Sequence, residues 1–535
     1  MDAAFSPDGN QIAFSWDAEH EDNWHIYVKL IGAEKPLQLT ADADIDRHPA
    51  WSPDGRYVAF LRHAGNEDGI FIVPALGGKV RRVRLLSLGS YWDLGSIDWS
   101  EDGKYLVFCD NPGGQEGLGI FWLSLEDPID EHVLTPSSPG VLDIYPRFSP
   151  DGRKVALVRS VLTEHAGEIY LVSRFGGEPT RLTFDKAALG GLVWSSDGRY
   201  LVFSSERLGD TYRLWKMPAT GGEAEPLSTG QQNAAAPALS RDGRRLAYTH
   251  SVWDTNIWRF EVDTAEGRST VPTELIASTE QDLDPHISPD GKRVVFASNR
   301  TGTAEIWVCD SDGSKPQQVT SHSGPAMAGT PRWSPDGQQI AFDFDPDGHP
   351  DIYVVSPVAG RARRLTTGTS NNVVPSWSND GRWVYFASDR TGTTQVWKMP
   401  VEGGLASQVT HKGGFAAFES PDGKTLYYAK GKETAGLWEV PVEGGAETLM
   451  LPQLSAGYWG YWGVLRNGIY FFNTSTQAIE LFSFRTRQVT RIATPQKPAV
   501  QWAPGLTISP DGQWLLFAQS DQRDATIMLV EDFRL

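Results

Sequence analysis

One short motif recurs twelve times along this 535-residue chain, and its regular spacing limits the possible folds more than any other feature. The motif is an apolar residue followed by Ser-x-Asp-Gly, and consecutive copies lie 42 to 49 residues apart. Only the copy at Leu465–Gly468 has lost both the serine and the aspartate. A period of this length indicates a repeat architecture whose units cannot bury their own faces alone. The glycines of the copies are Gly9, Gly55, Gly103, Gly152, Gly198, Gly243, Gly291, Gly337, Gly381, Gly423, Gly468 and Gly512.

The residues around each copy predict four short antiparallel strands. Asp-Gly supplies a tight turn, since glycine accepts a positive φ and aspartate can bond the backbone two residues further on. An aliphatic and an aromatic residue then alternate, as at Val58 and Phe60, which is typical of a strand with one buried face. A third strand is indicated by pairs such as Ile70-Phe71, and a fourth by segments such as residues 37–40. Four strands in each repeat predict the blades of a propeller, and no amphipathic helix is expected.

The number of repeats predicts two rings. Twelve blades exceed the range of about four to eight that one propeller usually holds. We therefore predict an all-β chain of two tandem six-bladed β-propellers, at residues 1–278 and 279–535. A partition into seven and five blades is the alternative. The chain reaches Leu535 without a fourth strand for its last unit, so either the last blade is three-stranded or an upstream segment completes a ring.

Composition excludes several classes of protein. The 48 Lys and Arg residues against 67 Asp and Glu give a formal net charge of −19, which argues against nucleic-acid binding because phosphates require a basic face. The two cysteines, Cys109 and Cys309, cannot form a disulfide framework or a cysteine-based zinc site. No apolar run is long enough to span a membrane, and the N-terminal segment is neither basic nor apolar. We therefore expect neither membrane insertion nor an export signal in this sequence.

The repeats resemble the WD-repeat-like units of TolB-type β-propellers. The resemblance rests on His48-Pro49-Ala50-Trp51-Ser52-Pro53-Asp54-Gly55, on the matching segment from Pro331 to Phe342, and on Ser388-Asp389-Arg390-Thr391-Gly392 before Val396-Trp397. It covers essentially the whole chain. The resemblance implies a propeller fold, a protein partner and a periplasmic location. Similar repeats also form sensor-like parts of bacterial regulators and the noncatalytic gate of prolyl-oligopeptidase-like peptidases.

Three functions are consistent with this sequence. The first is a noncatalytic scaffold or sensor that binds a protein or peptide at the loop mouths of the two propellers. The second is an enzyme, a hydrolase or lyase acting on carbohydrate or peptide at a channel mouth, although no Gly-x-Ser-x-Gly elbow or paired histidine motif is present. The third is the propeller part of a bacterial transcriptional regulator whose DNA-binding part lies upstream. The resemblance favours the periplasm, the missing export signal favours the cytoplasm, and the oligomeric state is left open.

The connections that lead from one blade into the innermost strand of the next identify a candidate ligand-binding mouth, because these loops open on the usual binding face of a propeller. Acidic and aromatic side chains dominate them, and this composition suits a cationic or mixed peptide or a sugar. The alternative is that the aspartates cap turns and the aromatic rings pack between blades. The candidate residues are Asp44, Asp46, Arg47, His48, Trp92, Asp93, Asp143, Tyr145, Asp282, Asp284, Arg332, Tyr458, Trp459 and Trp462.

One loop carries the spacing of a cation site. Asp343, Asp345, Asp347 and Asp351 alternate with other residues, and Gly348 permits a sharp turn between them. Oxygen ligands in such a pattern suit calcium, so we predict a calcium site here and no other cofactor. The alternative is an ordinary turn, because the equivalent loop at Asp389 lacks the later aspartates.

Overall fold

The structure, a computed structural model, describes residues 2–535 apart from 18–23, 66, 115, 128, 163–165, 208–210, 231–232, 264–267, 270, 323–325, 347, 359 and 502. In this described part, regular structure consists of 46 β-strands and one 3₁₀ turn, η1 (Gly89–Leu94). The expected all-β propeller class is therefore confirmed. None of the helical structure in the described residues is long and apolar enough to cross a membrane.

The Ser-x-Asp-Gly motif builds its own hairpin turn. In the second copy, Ser52 Oγ donates to Asp54 Oδ1 at 2.6 Å, and the same Oδ1 accepts the N–H of Arg56 at 3.0 Å. Ser52 Oγ also accepts the N–H of Tyr57 at 2.9 Å. Gly55 has a φ of 71°, which glycine adopts without steric cost. The serine and the aspartate thus satisfy backbone donors that the turn leaves unpaired, which explains why the motif recurs.

Two compact units make up the chain. The first comprises Met1–Arg207, Thr211–Ser251 and Asp524–Leu535, and the described residues of the second are Val252–Arg523 apart from the gaps given above. The strands of the first unit are β1 (Ala3–Phe5), β2 (Gln11–Trp16), β3 (His25–Leu30), β4 (Leu37–Gln38), β5 (Ile45–Trp51), β6 (Tyr57–Ala64), β7 (Glu67–Pro74), β8 (Arg81–Leu86), β9 (Ile97–Trp99), β10 (Tyr105–Asp110), β11 (Gly117–Ser124), β12 (Glu131–Thr135), β13 (Val141–Phe148), β14 (Lys154–Val161), β15 (Gly167–Ser173), β16 (Thr180–Arg181), β17 (Leu189–Trp194), β18 (Tyr200–Ser205), β19 (Arg213–Pro218), β20 (Glu225–Pro226), β21 (Ala234–Leu239) and the start of β22 (Leu246–Asp263).

The second unit continues from the end of β22. Its strands are β23 (Arg268–Ser269), β24 (Thr273–Ile276), β25 (Asp282–Ile287), β26 (Arg293–Ser298), β27 (Glu305–Asp310), β28 (Gln317–Gln318), β29 (Ala328–Trp333), β30 (Ile340–Phe344), β31 (Asp351–Val355), β32 (Arg363–Arg364), β33 (Asn372–Trp377), β34 (Trp383–Ser388), β35 (Gln395–Pro400), β36 (Ser407–Gln408), β37 (Ala417–Glu419), β38 (Thr425–Ala429), β39 (Leu437–Pro441), β40 (Thr448–Leu451), β41 (Trp462–Leu465), β42 (Gly468–Asn473), β43 (Ala478–Ser483), β44 (Val489–Ala493), β45 (Leu506–Ile508) and the start of β46 (Trp514–Val530).

Each unit arranges its antiparallel sheets as blades around an axis. In the first unit the innermost strands β1, β5, β9, β13, β17 and β21 contact one another in this order, and β21 contacts β1. In the second unit β25, β29, β33 and β37 follow in the same way, and β41 contacts β45, which contacts β25. The innermost strand of each sheet is therefore the element that places side chains nearest the axis of its ring.

Two long strands connect the units. β22 begins in the first unit and ends in the second, whereas β46 begins in the second and ends in the first. Within the first unit, Ile527 and Leu529 of β46 pack with Phe5 and Ile12. Within the second, β45 and β24 pair with the remaining parts of β46 and β22. The last sheet of the second unit thus consists of β45, the first part of β46, the last part of β22, and β24. Of these strands, β22 and β24 precede the other sheets of the unit in sequence.

This path differs from the boundary expected at residue 278. The chain leaves the first unit after Ser251, and residues 524–535 return to it. The expected third strand of the sixth repeat, at Ile257-Trp258, is part of β22 rather than a separate strand. The reason is local, since neither 246–263 nor 514–530 contains a glycine or proline that could end the strand and start a turn.

Tryptophans of the repeat motif form hydrogen bonds between neighbouring blades. Trp99 Nε1 donates to the carbonyl of Ala50 at 3.1 Å, and Trp377 Nε1 donates to that of Arg332 at 3.0 Å. Each of these acceptors lies in the innermost strand of the preceding blade. The rings themselves are buried against aliphatic side chains of both blades, so the motif residue serves packing and polar satisfaction together.

Candidate functional site

The innermost strands share an unusual backbone feature. Six of them contain a residue other than glycine with positive φ, and each such residue precedes a proline. The strand register shifts at these points, because proline has no N–H to continue the ladder. A strained conformation of this kind costs about 1–3 kcal/mol and is concentrated at functional sites. The residues and φ values are His48 (56°), Tyr145 (54°), Ala236 (47°), Asp284 (56°), Thr330 (46°) and Val374 (53°).

In the first unit these positions surround a small cavity. Its volume is about 30 Å³, which is enough for a water molecule. Every blade of the ring contributes to the lining, so the cavity lies at the axis. The lining residues are Asp2, Ala3, His48, Pro49, Ser96, Ile97, Tyr145, Arg147, Gly191, Leu192, Ala236 and Pro237.

A carboxylate and an imidazole pair inside this cavity. His48 Nδ1 lies 2.9 Å from Asp2 Oδ2, and the buried Nε2 of His48 has no hydrogen-bond partner. Burial by itself raises the pKa of Asp2, but the interactions with His48, the N-terminus and Arg47 together outweigh it, and the pKa lies well below its usual value. Burial raises the pKa of Tyr145, so this phenol stays protonated. The arrangement presents one unpaired ring nitrogen to the cavity.

A cluster of aromatic and charged side chains, here called the rim, includes Arg47, the residue directly before His48. It consists of Arg47, Trp24, Trp92, Asp93 and His63. The guanidinium carbon of Arg47 lies 4.2 Å from the ring centroid of Trp24 and 5.2 Å from that of Trp92, and Arg47 forms an ion pair with Asp93. Trp92 stacks on His63 with ring centroids 4.9 Å apart. The structure thus brings together the predicted residues Arg47, Trp92 and Asp93.

The 3₁₀ turn η1 positions Trp92 and Asp93. Its first residue, Gly89, donates its N–H to Asp68 Oδ2 at 3.1 Å, and Asp68 Oδ1 lies 2.5 Å from His63 Nδ1. His63 in turn supports the Trp92 ring. A chain of contacts from a buried carboxylate therefore holds the rim in place before any ligand arrives.

Several predicted mouth aspartates lie instead in ion pairs within their own blades. Arg62 Nε and Nη2 donate to the two carboxylate oxygens of Asp46 at 2.7 and 2.8 Å, and Asp44 lies 3.6 Å from the same guanidinium. Arg159 holds Asp143 through two bonds of 2.7 and 2.8 Å. Neither Asp46 nor Asp143 is exposed. These carboxylates hold the first two strands of a blade together through ion pairs, rather than capping turns as the alternative interpretation expects.

The second unit carries a different group near its axis, here called the axial cluster: Asp284, Thr330, Arg332 and Asp343. The N–H of Thr330 donates to Asp284 Oδ2 at 2.9 Å, and its hydroxyl donates to Asp343 Oδ2 at 2.6 Å. The N–H of Val374 donates to the same oxygen of Asp343 at 2.8 Å. Asp284, Thr330 and Arg332 are at most 9% exposed. Three neighbouring blades therefore contribute to one buried polar cluster.

Burial determines the electrostatics of the axial cluster. It raises the pKa of Asp284 to about 7 and lowers that of Arg332 to about 10, since both charged forms lose water. Burial also raises the pKa of Asp343, although the bonds from Thr330 and Val374 oppose the shift. Asp284 Oδ1 and Arg332 Nε are buried without a hydrogen-bond partner. The cluster thus contains both an unused acceptor and an unused donor.

The remaining mouth candidates of the second unit have internal partners. Asp282 is unexposed and its Oδ1 lies 2.5 Å from Arg300 Nη2. Tyr458 packs edge-on against Tyr461 with centroids 5.7 Å apart. Trp459 meets Phe415 and Trp462 meets Phe418 in similar geometry, at 4.8 and 4.7 Å. The aromatic run predicted as an anchor therefore packs inside the unit, and Phe418 also faces Arg332 with 5.5 Å from centroid to guanidinium carbon.

The predicted calcium loop directs its carboxylates to different partners. Asp351 forms an ion pair with Arg364 and accepts hydrogen bonds from Thr366 and Asn372. Asp345 Oδ1 accepts the N–H of Met327 at 2.7 Å, and Asp343 belongs to the axial cluster. Asp347 lies outside the described residues. In the part of the chain that is described, no group of three or more His, Cys, Asp or Glu side chains is arranged to hold a metal ion. Calcium binding stays a prediction.

Sequence reasoning missed several of these residues, and one pattern could have found them. Asp2, Trp24, His63 and Thr330 were not singled out. In six repeats a proline stands three residues before the serine of the motif, as Pro49 stands before Ser52, and the residue ahead of that proline faces the axis. A search for this proline identifies His48, Tyr145, Asp284 and Thr330 at once. The positions of Trp24 and His63 have no such marker.

Comparison with known proteins agrees with the propeller fold. The family model described as the TolB beta propeller domain matches residues 1–142, 135–326 and 271–453. An uncharacterized peptidase, YuxL of Bacillus subtilis, is 27% identical over 210 residues, which are 32% of this chain and 31% of that protein. An uncharacterized protein of Agrobacterium fabrum, Atu1656, is 33% identical over 197 residues, which are 35% of this chain and 64% of the relative. The matched segments therefore cover less than two thirds of the length of each of these two relatives.

Two solved structures match with lower sequence identity. A putative TolB from Agrobacterium tumefaciens is 20% identical and aligns with 64% of this chain and 94% of its own, with a TM-score of 0.28. The tricorn protease is 12% identical and aligns with 94% of this chain and 62% of its own, with a TM-score of 0.34.

Proposed function

Because this chain belongs to the TolB β-propeller domain family, we propose that it is a noncatalytic binding module that recognises a protein or peptide segment at the rim of its first unit. The proposal rests on one observation above the others. Arg47 lies against the Trp24 and Trp92 rings and pairs with Asp93, whose side chain is 57% exposed. Arginine and tryptophan held in place before binding are typical of residues that dominate binding energy at interfaces.

The charge around the rim favours a basic or mixed partner. Asp42 and Asp93 each expose 57% of their side chains, and Asp44 exposes 35%. The arginines beside them, Arg62 and Arg47, are largely covered, at 8% and 22%. The carboxylates are thus more exposed than the guanidinium groups paired with them. A peptide with lysine or arginine beside an apolar residue fits this surface, and nucleic acid does not.

The rim can be tested with peptides selected from a random library on the immobilised protein. We expect Trp92→Ala and Arg47→Ala each to weaken binding by tenfold or more, since truncating a hot-spot residue costs about 2 kcal/mol or more. Trp253→Ala is the matched control, because this indole is 54% exposed and lies outside the rim. Calorimetry on each variant measures the change. Equal affinity of the selected peptides for all four proteins would refute the proposal.

The Asp2–His48 pair supports a second candidate, an enzyme that acts on carbohydrate or peptide at the channel mouth. When neutral His48 carries its proton on Nδ1 toward Asp2, its unpaired Nε2 can accept a proton from substrate or water. The test incubates oligosaccharide and peptide panels with wild-type protein and His48→Gln, and follows new reducing ends, unsaturated products and free amines. Turnover that His48→Gln loses while its melting temperature is unchanged favours the enzyme. No turnover by the wild type favours the binding module.

We also propose a periplasmic location, which the family membership suggests. Cell fractionation with antibody detection distinguishes it from the cytoplasm. A transcriptional regulator, the third candidate, requires a DNA-binding segment encoded upstream in the same reading frame. Sequencing the transcript from its start tests that candidate directly.

A further inference from the structure

We propose that the axial cluster of the second unit is a carboxylate-binding site, in which Arg332 holds the carboxylate of a small molecule or of a chain terminus. This site lies in the other unit from the rim and does not depend on the proposed function. The argument rests on the unmet hydrogen-bonding capacity of Arg332, on the geometry of Asp284 and Thr330, and on a difference between the two units.

Arg332 lacks acceptors. A guanidinium has five N–H donors and stays charged near neutral pH. In this structure its Nη1 donates to the carbonyl of Pro331 at 2.9 Å, its Nε is buried without a partner, and the side chain is only 4% exposed. Asp284 and Asp343 interact with its charge, but neither carboxylate forms a hydrogen bond to the guanidinium among the described residues. Buried charges in proteins are normally paired and hydrogen-bonded, so the unused donors of Arg332 can accommodate a further anion.

Asp284 complements such a ligand. Its Oδ2 already accepts the N–H of Thr330, whereas its Oδ1 is buried without a partner. When this carboxyl carries a proton, its free oxygen can donate to the same anion that accepts from Arg332. Asp343 is supplied with donors by Thr330 and Val374 and does not need the ligand. One carboxylate therefore satisfies both unpaired groups.

The first unit has the same backbone arrangement around an arginine, Arg147, but the residue beside that arginine differs. Arg147 also donates from Nη1 to the carbonyl of its preceding proline at 2.9 Å. The preceding blade there supplies Asp98, which accepts the N–H of Phe148 at 2.9 Å and interacts with the charge of Arg147. At the equivalent place in the second unit stands His286, whose Nδ1 accepts the N–H of Trp333 at 3.0 Å. At this position the second unit thus has an imidazole where the first unit has a carboxylate, and the charge of Arg332 interacts instead with Asp284 and Asp343.

The surroundings define the size of the ligand. Phe418 faces Arg332, and Trp462 packs against Phe418, so one wall is aromatic. Asp284 and Thr330 are 6% and 9% exposed. A site this closed admits a small molecule or the end of an extended chain rather than a folded surface. The shared chemistry is one carboxylate beside an apolar group.

The test uses calorimetric titration of the full-length protein with three probes: sodium acetate, the acid N-acetyl-Ala-Ala-Ala, and its C-terminal amide. We expect the tripeptide acid and acetate to bind in competition, and the amide to bind at least tenfold more weakly than the acid. Tighter binding of the tripeptide acid identifies a chain terminus, and equal or tighter binding of acetate identifies a small molecule. An amide that binds as well as the acid, or the absence of binding by both carboxylates, overturns the proposal.

Variants localise the binding. Arg332→Met should weaken carboxylate binding by tenfold or more, and Arg332→Lys should restore part of it. Arg382→Met is the control, because this arginine is 79% exposed on a turn. The rim variant Trp92→Ala should leave carboxylate binding unchanged, which separates this site from the proposed function. Unchanged binding by Arg332→Met, or binding that Trp92→Ala abolishes, contradicts the proposal. If Arg332→Met does not fold, the comparison of acid with amide on the wild type and on Arg332→Lys decides.

Discussion

The two units differ most at a position where their backbones are alike. Tyr145-Pro146-Arg147 and Thr330-Pro331-Arg332 each place a residue with positive φ before a proline and an arginine after it. In the first unit Asp98 accompanies the arginine, whereas in the second the corresponding residue is His286. Burial lowers the pKa of His286 well below its usual value, and the charge of Arg332 lowers it further, so the ring is neutral. A repeated backbone therefore supports different chemistry when one neighbouring side chain changes.

Removal of residues 524–535 should have the largest effect and should affect one unit only. Ile527 and Leu529 pack with Phe5 and Ile12, and Phe533 is buried beside Leu246. Loss of the buried Phe533 side chain, worth about 3–5 kcal/mol, together with the partly buried Ile527 and Leu529 should unfold the last blade of the first unit. Hydrogen exchange measured by mass spectrometry should rise in β1 and β21 and stay unchanged in β33 and β34. Equal loss of protection in both sets would show that the strand is not specific to the first unit.

Removing a paired arginine should lower stability, whereas removing an arginine without an ion pair should not. Arg62→Met leaves the buried Asp46 without its partner and should lower the free energy of unfolding by about 3–5 kcal/mol. Arg332→Met removes a buried cation that has no ion pair, so it should leave stability unchanged or raise it. Urea denaturation without added carboxylate measures both. A comparable loss of stability in Arg332→Met would mean that protein groups already balance its charge.

Exchanging the neighbours of the two arginines should sharpen the comparison further. His286→Asp places beside Arg332 the carboxylate that accompanies Arg147 in the first unit, so acetate should bind at least tenfold more weakly than to the wild type. The reciprocal change, Asp98→His, should leave binding in the second unit unaffected. Titration calorimetry at neutral pH compares the three proteins. Undiminished binding by His286→Asp would separate ligand binding from the unpaired charge.

A smaller effect is expected from pH. The pKa of Asp284 is raised to about 7 in the folded protein by burial, with Arg332, Asp343 and Tyr461 as its charged or titratable neighbours. An unfolded aspartate ionises near 3.8, so the folded state binds more protons across this interval and the stability contributed by this group falls as pH rises from about 4 to 7. Asp284→Asn should remove this fall. Parallel stability curves for the two proteins between pH 5 and pH 8 would argue against a raised pKa.

Sequence alone predicts the blades better than their connection. Gly55 and its equivalents mark turns because serine and aspartate bond the backbone locally, and local bonds leave a regular pattern. The shared closure by β22 and β46 joins residues far apart in the chain, and counting repeats in order assigns Ile257-Trp258 to the wrong unit. In the sequence, a strand that continues without a turn differs from two separate strands only in having no glycine or proline where the turn is expected.

The candidate sites show the same limit. Arg47, Trp92 and Asp93 come together because each enters or precedes an innermost strand, which the repeat register predicts. Asp46 does not join them, because it forms an ion pair with Arg62 on the next strand. Pairing of this kind depends on the direction of the side chains, which the sequence spacing does not give. The unpaired state of Arg332 depends on a neighbour 46 positions earlier and requires the three-dimensional structure to be seen.

The most direct measurement is a crystal structure of the protein grown with N-acetyl-Ala-Ala-Ala. The account predicts that the terminal carboxylate lies in the second unit, with one oxygen about 3 Å from Arg332 Nε and near Asp284 Oδ1, and that Arg147 in the first unit has no bound carboxylate. A carboxylate on Arg147 with none on Arg332, or ordered water alone against both arginines, would contradict it.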